Sequence, residues 1–101
     1  MTAEAQAEQA WIDIAVLDDD RDFLHYIEDL LTDEGIYTVR VFERAADLFE
    51  AAIERRPDIV LLDMKMGRTR GDEVLEQLLE RWPELCVIVV TGYPSLEDMR
   101  A

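Results

Sequence analysis

Four residues that can do chemistry together, Asp18, Asp19, Asp63 and Thr91, each follow a short apolar run. The runs are Ile12 to Leu17 (interrupted only by Asp13), Ile59-Val60-Leu61-Leu62, and Val87-Ile88-Val89-Val90. If the runs are parallel strands, their carboxyl ends form one rim, where ligands bind in open α/β sheets. Three carboxylates on one rim repel one another unless a cation intervenes. Mg2+ suits such a place: it prefers oxygen ligands, keeps several waters and takes few carboxylates plus a phosphate. A carboxylate beside that ion can attack phosphorus to form an acyl phosphate, and a neighbouring hydroxyl can meet a phosphate oxygen.

The elements needed to hold this rim are readable. Ile12 to Leu17 is short and β-branched enough for a buried strand, as is Ile59 to Leu62. Phe23, Leu24, Ile27, Leu30 and Leu31 recur at helical spacing, with Asp20 as the cap before them and Gly35 as the stop. Residues 36–42 alternate like an edge strand. Leu48, Phe49, Ala52 and Ile53 mark a second helix closed by Pro57. Val74, Leu75, Leu78, Leu79 and Trp82 mark a third, stopped by Pro83. Residues 64–70 have no periodicity and read as a loop. Ser95 to Asp98 resembles a capping box opening a further helix. The order β-α-β-α-β-α-β-(α) predicts an α/β fold with a parallel, doubly wound sheet.

Bulk properties narrow the partners. The 101 residues suit one domain, over residues 11–101, with residues 1–10 as a frayed or disordered tail. Twenty-four acidic against 10 basic residues give a net charge of −14, which disfavours nucleic acid and anionic membranes. The single cysteine, Cys86, can form no internal disulfide, and no apolar run is long enough to span a bilayer. A soluble cytoplasmic protein is the expectation.

The stretches VLDDD (16–20), IVLLDMKMGRTRGDEVL (59–75) and VIVVTGYPS (87–95) resemble receiver domains of two-component response regulators. The resemblance covers residues 11–101 and implies a flavodoxin-like fold. It implies a phosphoprotein of phosphorelay signalling rather than an enzyme. Asp63 falls at the phosphoacceptor position, loaded by a histidine kinase or phosphotransfer protein. Asp18 and Asp19 match the acidic pair that helps hold Mg2+, and Lys65 matches the residue whose backbone carbonyl joins Asp63 in ligating it. Thr91 matches the hydroxyl that meets the phosphoryl group, and Tyr93 a position that influences phosphate lifetime.

Two departures stand out. Gly67 occupies the place of the family's usual proline. The family's fifth-strand lysine and aromatic switch residue have no counterpart, so the sequence reads as a receiver lacking the last helix-strand-helix. The fourth strand is then expected at a bare sheet edge, which invites pairing into a homodimer. That expectation feeds a rival reading, a receiver-derived interaction module that is not phosphorylated. A dehalogenase-like phosphatase fits poorly, because its second aspartate would stand where Lys65 is. Outside the rim, Asp20 reads as a helix cap and His25 as a surface histidine. Cys86 reads as core, and Trp11 and Trp82 as packing residues.

Overall fold

The computed structural model describes residues 11–66 and 69–90. Strand β1 (Ile12–Leu17) leads into helix α1 (Arg21–Asp33), then β2 (Tyr37–Phe42) and α2 (Ala45–Glu54). Next come β3 (Ile59–Asp63), the two short strands β4 (Lys65–Met66) and β5 (Thr69–Arg70), α3 (Gly71–Arg81) and β6 (Cys86–Val90). β2, β1, β3 and β6 lie side by side in that order, every pairing parallel. This is the α/β arrangement with a parallel sheet covered on both faces by helices that the apolar runs predicted.

Alternation along the strands divides the core in two. Ala15, Leu17, Val60 and Leu62 point to one face and meet Leu48 of α2 and Val74 and Leu78 of α3. Ile14 and Val16 point to the other and meet Leu24 of α1. β1 and β3 are therefore buried on both sides, which is why they read as nearly unbroken apolar runs. Trp82 packs against the larger cluster and stacks on Phe49, with ring centroids 6.5 Å apart.

Helix ends follow the side chains available. The Asp20 carboxylate accepts from the backbone N–H groups of Asp22 and Phe23, capping α1. At its other end Gly35 takes φ +79°, and its N–H donates to the Thr32 carbonyl. Pro57 is buried, but α2 already stops at Glu54.

Several expectations change. Residues 64–70 are not a plain loop: β4 and β5 pair antiparallel, Lys65 with Arg70 and Met66 with Thr69. Cys86 is exposed rather than core, and Ile88 and Val89 are 46% and 41% exposed. The cause is position, since β6 is an edge strand among the described residues and α1 packs over β1 and β2 instead. Trp11, read as a packing residue, is 48% exposed just ahead of β1. Leu30, Ile53 and Leu79 are exposed too, because each helix buries a narrower stripe than its apolar spacing suggests. The tail 1–10 and the helix expected from Ser95 lie outside the described residues. Among those described, no helix is long and apolar enough to cross a membrane.

Candidate metal and phosphoacceptor site

The rim forms because register and chain direction coincide. β1 pairs with β3 so that Leu17 lies opposite Leu62, and each strand delivers its next residue, Asp18 or Asp63, at the same level of the sheet. One carboxylate oxygen from each of Asp18, Asp19 and Asp63 lies within 4.8 Å of the others. Asp18 and Asp63 are both 8% exposed, whereas Asp19 is open to solvent. The cluster thus consists of two sheltered acids and a third that water and ions can reach.

Local hydrogen bonds fix the first aspartate. The Asp18 backbone N–H donates to the Phe42 carbonyl, and its Oδ1 accepts from the Asp20 N–H at 2.9 Å. Asp20 has its own task as the cap of α1, which separates it from the cluster although it is adjacent in sequence. Burial pushes the Asp18 carboxyl up to about 6, the charges of Asp63, Asp19 and Asp20 push the same way, and the Asp20 N–H opposes them. A carboxylate this reluctant to ionise is what a cation would relieve. The donor set, all hard oxygen with an open side, fits Mg2+.

A consequence follows for the metal-free protein. Folded Asp18 holds its proton up to about pH 6, whereas the unfolded chain releases it near 3.8. The stability this contributes is complete below pH 3.8 and is lost as pH rises through 6. After allowance for solvent reaching the site, the loss should be about 1–2 kcal/mol. Urea denaturation across this range, with Asp18→Asn alongside, should show that component only in the wild type; identical profiles would exclude it.

Of the residues singled out from sequence, Asp18, Asp19 and Asp63 are brought together. Lys65 sits two residues beyond Asp63, where β4 begins. Thr91, Tyr93 and Gly67 lie outside the described residues. His25 is exposed on α1, as anticipated. The sequence reading passed over Gly71, which is buried where α3 opens beside Asp63. An isolated glycine at a helix start carries no signal of close approach.

Comparison with known proteins agrees with this geometry. Residues 14–101 match the response regulator receiver domain family. The DNA-binding transcriptional regulator NtrC of Escherichia coli (strain K12) is 34% identical over 82 residues, covering 81% of this chain and 17% of NtrC. The response regulator MprA of a Mycobacterium species is 32% identical over 85 residues, 84% of this chain and 36% of that protein. The chain thus spans less than two-fifths of either relative. Among solved structures, a CheY-like receiver domain protein from Methanospirillum hungatei JF-1 superposes with a TM-score of 0.74 at 33% identity, covering 90% of this chain and 72% of the other. NtrX from Brucella abortus in complex with ATP gives 0.78 at 28% identity, covering 90% of this chain and 21% of NtrX. The chain belongs to the response regulator receiver domain family, and its three clustered aspartates stand at the carboxyl rim of the sheet.

Proposed function

We propose that this domain takes a phosphoryl group onto Asp63 from a phosphohistidine of a histidine kinase or phosphotransfer protein, with Mg2+ bound by Asp18, Asp19, Asp63 and the Lys65 backbone carbonyl. The observation that carries the reading is the meeting of three carboxylates, two of them sheltered, within 4.8 Å. An Asp63 oxygen attacks phosphorus as the bond from phosphorus to the imidazole nitrogen breaks. The imidazole keeps the electron pair, and the acceptor becomes an acyl phosphate. Bound Mg2+ supplies positive charge that offsets the carboxylates and the transferring group. Asp18 and Asp19 would hold that charge, and the phosphoryl contact that the family resemblance implies falls to Thr91. The domain acts as a phosphorylated switch in two-component signalling and not as an enzyme with turnover. Its charge of −14 argues against nucleic-acid contact by this segment.

Incubation with acetyl phosphate and Mg2+, followed by intact mass, should add one phosphoryl group, and chelation of the metal should prevent it. Metal at ten times its Kd should also stabilise the fold by about 1.4 kcal/mol, since only the folded chain presents the site.

A second reading has one observation in its favour. β6 is an edge strand among the described residues, and Ile88 and Val89 on it are exposed. Such an edge can pair with another copy, making association the main task of the domain. A protein that gains no phosphoryl mass yet runs as a dimer would favour this reading over the first.

A further inference from the structure

After Asp63 the chain leaves the sheet, runs out through β4, returns through β5 and re-enters the fold at Gly71. The point of return is pressed against the point of departure. A Cβ on Gly71 would lie 2.5 Å from the Met64 Cα and 2.7 Å from the Asp63 carbonyl oxygen. It would also lie 3.0 Å from the Met64 sulfur. The first two are backbone atoms that no change of rotamer can withdraw. Gly71 is buried, so the bulk cannot turn outward. Nor is glycine needed there for its dihedral freedom: among the described residues only Gly35 has positive φ. What position 71 demands is the absence of a side chain, and the atoms that demand it belong to the peptide joining Asp63 to Met64.

We propose that Gly71 is a positioning residue for the phosphoacceptor: its bare α-carbon lets α3 seat against the peptide after Asp63, which fixes where that carboxylate meets Asp18 and Asp19. The inference rests on the reading of Asp63 as acceptor. Ordinary contact begins near 3.4 Å, so a methyl group at position 71 must displace the Met64 backbone by about 0.9 Å. Misplacement by about 1 Å can cost reactions on the order of a hundredfold in rate. The same shift would carry along the Lys65 carbonyl, one residue further on.

The test compares Gly71→Ala with Gly35→Ala. The control is strained by its positive φ, but a Cβ there meets nothing within 4 Å and lies at the far end of α1. Both variants and the wild type are assayed well below their melting temperatures, for Mg2+ affinity by calorimetry and for the maximal rate of modification at saturating Mg2+ and acetyl phosphate. Gly71→Ala should lose ten- to a hundredfold in maximal rate and at least several-fold in Mg2+ affinity. Gly35→Ala should keep both while melting lower. That split marks positioning, because a loss of stability alone would not move either quantity in the folded protein. Wild-type values in Gly71→Ala would overturn the inference and leave the acceptor reading intact. So would failure of Gly71→Ala to fold, which would make position 71 a folding requirement. A wild-type protein that takes up neither Mg2+ nor a phosphoryl group would remove both readings together.

Discussion

Asp63→Asn is expected to gain no phosphoryl mass from acetyl phosphate, to melt independently of Mg2+, and yet to be more stable than the wild type in metal-free buffer at pH 8. The substitution keeps the shape of the side chain and removes one negative charge and the nucleophilic oxygen. Loss of the adduct follows directly, since an amide does not form an acyl phosphate. The loss of metal response follows because the remaining acids, Asp18 and Asp19, are fewer and less repulsive. The gain in stability comes from Asp18, whose ionisation is opposed by the charge on Asp63 as well as by burial. Removing that charge should recover about 1 kcal/mol at pH 8, above the value of about 6 to which Asp18 is raised. The mass spectrum and two melting curves, with and without Mg2+, check all three. An adduct of wild-type yield on the variant would move the acceptor elsewhere.

Asp13→Ala should destabilise the domain by about 2–3 kcal/mol, at the opposite end of the sheet and without effect on phosphorylation. Asp13 is the one polar residue inside the apolar run of β1, and its side chain is 14% exposed. Arg40 of β2 reaches it with two nitrogens, at 3.1 and 3.0 Å, and Arg55 joins at 3.0 Å. The same Arg40 donates to the Arg55 carbonyl just past the end of α2. Asp13 therefore holds together β1, β2 and the C-terminus of α2. Without it, two guanidinium groups face each other, one of them only 19% exposed. Arg21→Ala offers the contrast: its 2.6 Å bond to Glu43 lies at the surface, with the arginine side chain 77% exposed, and melting should not change measurably. Urea titration separates the two cases, and an Asp13→Ala midpoint equal to wild type would show that Arg40 finds water as good a partner.

These two sites show what the sequence could and could not disclose. Asp18, Asp19 and Asp63 were legible because an acid that ends a buried strand is placed by the strand itself, and the two strand ends that carry them converge because β1 and β3 are parallel neighbours. Asp20 was legible as a cap because its task is local. The Asp13–Arg40 pair was not, because its partners are 27 residues apart and meet only through strand pairing. In the sequence Arg40 was merely, with Thr38, one of two polar members of an alternating strand. Cys86, Ile88 and Val89 misled for a related reason: apolarity identifies a strand, but burial is conferred by neighbours, and β6 has a neighbour on one edge only among the described residues. The pairing of Lys65 with Arg70 left no trace either, since strands of two residues are too short to carry a period.

The unequal division of the core has a dynamic consequence. Among the described residues, eight buried residues seal the face under α2 and α3, while three, with half-buried neighbours around them, seal the face under α1. Helix α1 itself contributes one buried residue, Leu24, against two from α2 and three from α3, so its amide hydrogens should exchange with deuterium through a partial opening rather than through global unfolding. Since α1 begins three residues after Asp18, breathing on that side would loosen one side of the acidic cluster and leave β3 in place.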